Sequence, residues 1–256
     1  MMRFASLGSG SRGNALVLEA GNTRLLLDCG FSVGETAARL ARLALETDDL
    51  DAVVVTHEHD DHIGGVARLA RMHGLPVYLT YGTLTALGSA RSDIAEVTMI
   101  DSHAPFAIGD IEVRPYPVPH DAREPAQFVF GDGARRLGVL TDAGSSTPHI
   151  EAMLSGLDAL VLECNHDLDL LMSGGYPPSL KRRIASRFGH LDNRTSAQLL
   201  ASIDCSRLQH LIAAHLSQQN NTPELARTAV AQVLNCAPAW IGIASQDEGF
   251  GWREIV

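Results

Sequence analysis

Apolar and polar positions alternate along this chain with two different periods. Short apolar or alternating runs of strand type prevail up to about residue 141 and return later in the chain. They predict strands over residues 23–28, 50–56, 76–79, 111–117, 127–130, 135–141, 159–162, 210–214 and 239–243. A helical period predicts helices over residues 34–44, 63–72, 147–154, 178–187, 195–203 and 223–234. Because strands and helices are interspersed, we expect one α/β domain over residues 1–256, with helices covering the sheets.

Several of the predicted strands end on an ionisable residue. The six endings are Asp28, His57, His120, Asp142, Glu163 and His215. Loops at strand ends are the places where a rigid scaffold presents functional groups. The pattern therefore predicts a single rim of the fold that carries a single site.

Composition and charge narrow the class of protein. Hydrophobic residues make up 45% of the chain, which is enough for a substantial core. No apolar run is long enough for a transmembrane helix, and the first twelve residues are too polar and glycine-rich for a signal peptide. The four cysteines show no CxxC spacing, so we expect reduced thiols and a cytoplasmic protein. A net charge of −10 argues against a broad basic surface for nucleic acid but leaves a local one open.

The segment THEHDDHIGG, residues 56–65, carries the strongest chemical signal. His57 and His59 are two residues apart, so in an extended loop they point the same way. Asp61 and His62 lie where the chain enters the next predicted helix, and they face a different side. One short loop can therefore supply ligands to two neighbouring metal ions.

Four ligands are too few for two metals, and the strand-end residues supply the rest. The predicted ligands of the first metal are His57, His59 and His120, and those of the second are Asp61, His62 and His215. Asp142 can bridge both metals, because a carboxylate has two oxygens, and Asp28 would orient a ligand from behind. Mixed imidazole and carboxylate ligation suits two zinc ions per chain, with manganese or iron as alternatives.

This ligand order resembles the metallo-β-lactamase superfamily. The family pattern is an HxHxDH loop followed by a histidine, a bridging aspartate and a final histidine, and every position is matched here. The resemblance implies a four-layer αββα sandwich with the metals at one edge. True β-lactamases of this fold lack the bridging aspartate, so Asp142 implies the phosphodiesterase or glyoxalase branches instead.

Further segments resemble the YycJ-like (WalJ) nuclease branch and together span nearly the whole chain. They are SLGSGSRGNA at 6–15, VPHD at 118–121, TDAG at 141–144, ECNHD at 163–167, GHLDN at 189–193 and HLSQQNN at 215–221. This resemblance implies a 5′-to-3′ exonuclease, and the neighbouring PhnP-like branch cleaves cyclic phosphodiesters. One departure is Asp192, which stands where the branch usually has serine.

The chemistry of hydrolysis also needs a proton donor. His190, in the segment SRFGHLDN, matches a catalytic histidine of the phosphodiesterase branches, and an imidazole can donate a proton to a leaving oxygen near neutral pH. The predicted catalytic residues are therefore His190 and Asp61, with Glu163 placed behind the metal ligands.

Substrate contacts are predicted from glycine-rich, basic and amide-bearing segments. Backbone N–H groups of the turn at residues 8–14 could cradle a phosphate, although a plain turn explains this segment equally well. Arg183 and Arg187 are four residues apart within a basic stretch and would share one helix face, although a solvated face explains that stretch equally well. The predicted substrate-binding residues are Ser9, Ser11, Asn14, His166, Lys181, Arg183, Arg187 and Asn221.

The best-supported hypothesis is a dinuclear metal-dependent phosphodiester hydrolase acting on nucleic acid as a 5′-to-3′ exonuclease. Three alternatives stay open: a small-molecule or cyclic phosphodiesterase, a thioester hydrolase like glyoxalase II, and a non-catalytic metal-binding module. The intact ligand set argues against the last of these. We expect no membrane partner, and the sequence leaves a homo-oligomer open.

Overall fold

The computed structural model describes residues 1–256 and contains fourteen strands and nine α-helices. The strands are Met2–Gly8 (β1), Ala15–Ala20 (β2), Thr23–Leu27 (β3), Ala52–Val54 (β4), Val77–Leu79 (β5), Val97–Met99 (β6), Phe106–Ile108 (β7), Ile111–Pro117 (β8), Ala126–Gly131 (β9), Arg136–Leu140 (β10), Ala159–Glu163 (β11), His210–Ala214 (β12), Gly242–Ile243 (β13) and Phe250–Ile255 (β14). The helices are Val33–Ala41 (α1), Asp60–Ile63 (α2), Val66–His73 (α3), Tyr81–Ala86 (α4), Pro148–Leu154 (α5), Leu168–Ser173 (α6), Pro178–Ile184 (α7), Asn193–Ser202 (α8) and Pro223–Leu234 (α9). None of these helices combines the length and the apolar character that a membrane crossing requires.

The strands form two mixed sheets of seven strands each. Their orders are β14-β1-β2-β3-β4-β5-β6 and β13-β12-β11-β10-β9-β8-β7. Strands β3 to β6 run parallel in the first sheet, and β10 to β13 run parallel in the second. Parallel neighbours share a direction, so the carboxyl ends of β3 and β4, and those of β10 to β12, each lie at one edge of their sheet.

Three apolar clusters hold four layers together. The largest, of 24 buried residues, lies between the two sheets and includes Phe4 and Phe128. A second cluster of 20 residues joins the first sheet to α1 and α3, through Leu40 and Leu69. A third, also of 20, joins the second sheet to α5, α8 and α9, for example through Val230. Each fully buried large apolar side chain stabilises the fold by roughly 1.5–3 kcal/mol, so these clusters hold the αββα sandwich together.

Two of the sequence predictions for local structure are wrong. The helix predicted over residues 63–72 is two helices, α2 and α3, which are separated at Gly64 and Gly65. The strand predicted over 239–243 is mostly a 3₁₀ turn at Pro238–Trp240, and only Gly242–Ile243 pairs with β12. The helix predicted over 178–187 is shorter than expected, because α7 ends at Ile184.

Candidate metal centre

The six ionisable residues at strand ends converge on one edge of the two sheets. Three of them adopt left-handed backbone angles: φ is 61° at Asp28, 53° at Asp142 and 54° at His215. Side chains other than glycine are uncommon in this region, and such a conformation costs of order 1–3 kcal/mol each. Conformations of this kind persist where the surrounding structure enforces them, and they cluster at functional sites.

A first set of three imidazoles brings its ring nitrogens together. His57 Nε2 lies 3.0 Å from His59 Nδ1, and His120 Nε2 lies 3.3 Å from the same atom. His57 is buried in the loop after β4, and His120 is buried in the loop after β8. The two sheets therefore contribute to the same set, whose ligand atoms all lie within 4.8 Å of one another.

A second set consists of Asp61, His62 and His215. Asp61 Oδ2 lies 3.5 Å from both His62 Nε2 and His215 Nε2. Asp142 stands between the two sets: its Oδ2 is 3.1 Å from His62 Nε2, and its Oδ1 is 3.5 Å from His215 Nε2 and 3.9 Å from His120 Nε2. This is the position in which one carboxylate can bind two cations.

Unpaired polar atoms at the centre of the site fit a divalent cation. Asp142 Oδ2 and His215 Nε2 are fully buried and form no hydrogen bond, a state that costs about 1–3 kcal/mol per group. Burial raises the pKa of Asp142, but the charges of His215 and His62 hold it well below its usual range. Burial would lower the pKa of His62, but Asp142 and Asp28 raise it well above its usual range. Without metal, a proton on His62 thus balances the carboxylates, and a cation can replace that proton.

The imidazoles are held from behind by polar neighbours. Asp28 Oδ2 lies 2.8 Å from His62 Nδ1, and Thr56 Oγ1 lies 2.9 Å from His57 Nδ1. Asn165 Nδ2 is 3.2 Å from His215 Nδ1. Each contact occupies the ring nitrogen that faces away from the site, which leaves Nε2 facing the centre. Outer partners of this type fix ring orientation in metal sites.

His190 lies beside the ligand sets and belongs to neither of the two three-residue sets. Its Nδ1 is 2.8 Å from Glu163 Oε1 and 3.6 Å from Asp142 Oδ1, and its ring stacks on His215 with centroids 5.3 Å apart. Glu163 is fully buried, and its Oε2 accepts hydrogen bonds from the N–H groups of Ala143 and Leu191. Burial would lower the pKa of His190, but the Glu163 carboxylate raises it to about 9.

A cavity of about 310 Å³ opens onto both ligand sets and onto His190. Ser11 and Arg183 line it, as predicted from the sequence for substrate contacts, and so does Asp121, which was not predicted. Asp121 Oδ2 accepts a 2.6 Å hydrogen bond from Arg183 Nε, and Asp121 Oδ1 lies 3.6 Å from His120 Nε2. Its position directly after a predicted ligand was the signal that could have revealed it. Thr56 and Asn165 were not predicted as site residues either. Thr56 directly precedes the predicted ligand His57, and Asn165 lies in the segment ECNHD.

Four residues predicted to bind substrate are buried and do not line this cavity. They are Ser9, Asn14, His166 and Asn221. The Ser9 hydroxyl accepts from His215 N, and the Asn221 amide donates to the Cys164 carbonyl. The side-chain amide of Asn14 donates to Asp61 Oδ2 at 3.2 Å. In this structure these groups hold the loops of the site in place, and their contact with substrate stays a prediction.

The basic stretch after residue 178 is also arranged differently from the prediction. Arg183 and Arg187 do not share a helix face, because Arg187 lies beyond the end of α7. Lys181 Nζ donates to the Met172 carbonyl and does not line the cavity. Asp192 is the N-cap of α8, since its carboxylate accepts hydrogen bonds from backbone N–H groups of that helix. Its charge is therefore engaged at the helix end.

Comparison with known proteins agrees with this geometry. A family model described as the beta-lactamase superfamily domain matches residues 23–215. The chain is 37% identical to exodeoxyribonuclease YycJ of Bacillus anthracis over 257 aligned residues. The alignment covers 99% of this chain and 92% of that protein. It is 33% identical to exodeoxyribonuclease WalJ of Streptococcus pneumoniae serotype 2, over 94% of this chain and 91% of that protein.

A solved structure confirms the architecture. The metallo-β-lactamase fold protein YhfI from Bacillus subtilis has a TM-score of 0.75 over 98% of both chains, at 17% sequence identity, which shows a shared fold. The four-layer sandwich implied by the sequence motifs is confirmed by this likeness. The chain therefore belongs to the β-lactamase superfamily, in the family of the YycJ and WalJ proteins, and it is a metal-dependent hydrolase.

Proposed function

We propose that this chain is a dinuclear phosphodiester hydrolase that degrades DNA from the 5′ end. The observation that carries the proposal is the position of Asp142 between two complete three-ligand sets, with His190 beside it. The names of the YycJ and WalJ relatives support deoxyribonuclease activity, and the 5′-to-3′ direction rests on the resemblance of the motifs.

The ligand sets would hold two divalent ions. Zinc is the metal that best fits the mixed nitrogen and oxygen donors. Such ions supply a water nucleophile at neutral pH and stabilise charge on phosphoryl oxygens. The chain's own residues would do the rest. Asp142 stays ionised, because neighbouring imidazoles outweigh the effect of its burial. His57, whose pKa is lowered by burial and by neighbouring imidazoles, stays neutral and keeps a free lone pair.

His190 would act as the general acid. The hydrogen bond from Nδ1 to Glu163 fixes the ring and leaves the other nitrogen to donate a proton to the leaving oxygen. A pKa of about 9 keeps the ring protonated at neutral pH, and nearby cations would lower that pKa towards the working range. The imidazole is partly accessible to the cavity, with 22% of the side chain exposed.

The test is a nuclease assay on end-labelled single-stranded and double-stranded DNA and RNA, with zinc or manganese supplied. We expect mononucleotides to be released from the 5′ end of DNA, and chelation to abolish the reaction. An acyl-glutathione assayed in parallel tests the thioester alternative. Hydrolysis of the thioester alone would overturn the proposal, and so would the absence of any hydrolysis by protein that contains both metals.

A further inference from the structure

An exposed aromatic residue lies in the turn that leads to the candidate general acid. Phe188 precedes His190 by two residues, and 47% of Phe188 is exposed. It lies in the turn of residues 186–190, which we call the Phe188 turn. The guanidinium carbon of Arg187 is 5.1 Å from the centroid of the aromatic ring. Single exposed apolar residues are common on protein surfaces, so the setting of this one decides what it means.

The Phe188 turn is fixed to the site on both sides. Ser145 Oγ donates to the Arg187 carbonyl at 3.1 Å, and the Gly189 carbonyl lies 3.1 Å from His120 Nδ1. Gly144 packs so tightly against the turn that an added Cβ would lie 2.4 Å from the carbonyl carbon of Arg187. The backbone on both sides of Phe188 is therefore held against the candidate ligand His120 and the loop of Gly144 and Ser145.

The surroundings of this ring match what a nucleobase needs. Proteins that bind single-stranded nucleic acid combine cations that follow the backbone with aromatic faces on which the bases stack. Here Arg183 lines the cavity and Arg187 adjoins the ring, while the rest of the cavity is lined mostly by polar residues. Phe188 directly precedes Gly189 and His190, which line the cavity, and apart from the Arg187 guanidinium near its ring the side chain is largely open to solvent.

We infer that Phe188 is a stacking platform for the nucleobase next to the scissile phosphate. The inference rests on the proposed function and deepens it. It assigns a substrate class: nucleic acid that is single-stranded, or frayed, at the cleaved position. A base paired within a duplex keeps both faces stacked on its neighbours, so it must leave the stack before this ring can hold it.

The test compares Phe188→Ala with Phe188→Trp and with a control, Trp240→Ala. Trp240 is 42% exposed and precedes β13, at the opposite end of the sheet from the site. Each metal-loaded protein is given a single-stranded oligonucleotide, and the same oligonucleotide with abasic residues at the cleaved end. We expect Phe188→Ala to raise KM on the normal strand about tenfold to a hundredfold, with little change in kcat. Phe188→Trp and Trp240→Ala should behave as wild type.

The abasic strand supplies the second arm. Wild type should handle it as poorly as Phe188→Ala handles the normal strand, because the stacking partner is missing. Equal KM values for wild type and Phe188→Ala on the normal strand would overturn the inference. So would an equal loss by Phe188→Ala on both strands, which would indicate a structural role. Metal content and Tm of each variant, measured alongside, show whether the fold is intact.

Binding measured without cleavage separates this inference from the proposed function. Fluorescence anisotropy of a labelled single strand reports the Kd of each metal-loaded variant. If wild type binds the strand but cleaves nothing, the proposed function fails, and weaker binding by Phe188→Ala still supports the platform. If wild type neither binds nor cleaves, both fail. If wild type binds and cleaves and Phe188→Ala matches it in Kd, only the platform fails.

Discussion

Asp142 has one oxygen 3.1 Å from His62 and the other 3.9 Å from His120, so it adjoins both ligand sets. Asp142→Ala should therefore reduce the metal content from about two ions per chain to nearly none, since it removes the only carboxylate shared by both sets. Elemental analysis of purified protein checks this. Asp60→Ala is the matched control, because Asp60 is an exposed acid of the same loop and belongs to neither set. Retention of two tightly bound ions by Asp142→Ala would contradict the bridging role.

His190 poses a different question, because it also falls within 4.8 Å of Asp142, Glu163 and His215. If it is the general acid, His190→Ala should keep its metal content and lose roughly 10²–10⁴-fold in kcat. A substrate with a very good leaving group should recover much of that loss, since such a group leaves without a proton. Metal analysis and kinetics on good and poor leaving groups check this. Loss of one ion would make His190 a ligand instead.

At the residue scale, sequence was informative where chemistry is local. His57, His59, Asp61 and His62 share one short loop, and their spacing alone placed them together. Asn165 and Thr56 support those rings through contacts that only the folded chain creates. Asn221 shows a different difficulty: its residue type suits phosphate binding, and in the folded chain its amide donates to the Cys164 carbonyl, a contact that the sequence does not reveal. Side chains that serve other loops cannot be distinguished from substrate ligands by type.

At the scale of elements, the chain between α2 and α3 decides how the metal loop is held. Apolar spacing predicted one helix over residues 63–72, and spacing alone does not register the break. Gly65 N donates to the Cys29 carbonyl at 2.8 Å, and a Cβ on Gly65 would lie 2.0 Å from the Phe31 carbonyl. This contact between distant segments interrupts the helix and fixes α2, which carries Asp61 and His62.

Gly65→Ala should therefore destabilise the protein and weaken metal binding together. Overpacking of this kind costs typically 1–3 kcal/mol, which corresponds to a fall of several degrees in Tm for a chain of this size. Gly34→Ala is the matched control, because an added Cβ there meets no atom within 4 Å and alanine favours the helix α1. Differential scanning calorimetry and metal titration of both variants check this. Equal Tm values for the two variants would show that the close contact has no energetic weight.

Strands were predictable where one short apolar run corresponds to one strand. Ile111–Pro117 and His210–Ala214 have the bounds that the pattern predicted. Met2–Gly8 and Ala15–Ala20 were not predicted as strands, although Ala15–Glu19 has the same sequence, ALVLE, as the buried strand Ala159–Glu163, which was predicted over residues 159–162. Phe250–Ile255 pairs with β1 across almost the whole chain length. Such long-range pairing leaves no trace in local periodicity.

At the scale of the whole molecule, net charge opposes the binding of a nucleic acid. The net charge of −10 repels a polyanion, so a nucleic acid needs a local positive path. In the structure, fewer of the basic residues predicted to bind substrate are free to contact a phosphate. Arg183 is at the cavity but paired with Asp121, Arg187 lies in the Phe188 turn, and Lys181 is engaged with a carbonyl. Among the predicted substrate-binding residues, Arg183 and Arg187 remain as candidates to meet the strand, and they do not share a helix face.

The double variant Arg183→Gln with Arg187→Gln tests that path. Removing an arginine that binds a phosphate should reduce the salt dependence of strand binding, because fewer counterions are released on association. We therefore expect the variant to cleave polynucleotide far more slowly even at low salt. Its log–log salt slope should be shallower by about one for each phosphate that the protein no longer neutralises. Hydrolysis of bis(p-nitrophenyl) phosphate should stay near the wild-type rate, since that small diester needs only the metal centre.

The matched control removes the same charge elsewhere: Arg71→Gln with Arg114→Gln. Both of these arginines are exposed and paired with acids, Asp93 and Glu112, away from the cavity. Each double variant loses two positive charges, so the net charge changes from −10 to −12 in both. If overall repulsion governs binding, the two variants will lose polynucleotide cleavage equally. If Arg183 and Arg187 guide the strand, only their replacement will reduce polynucleotide cleavage. Unchanged salt slopes in both double variants would favour a small phosphodiester as the substrate instead.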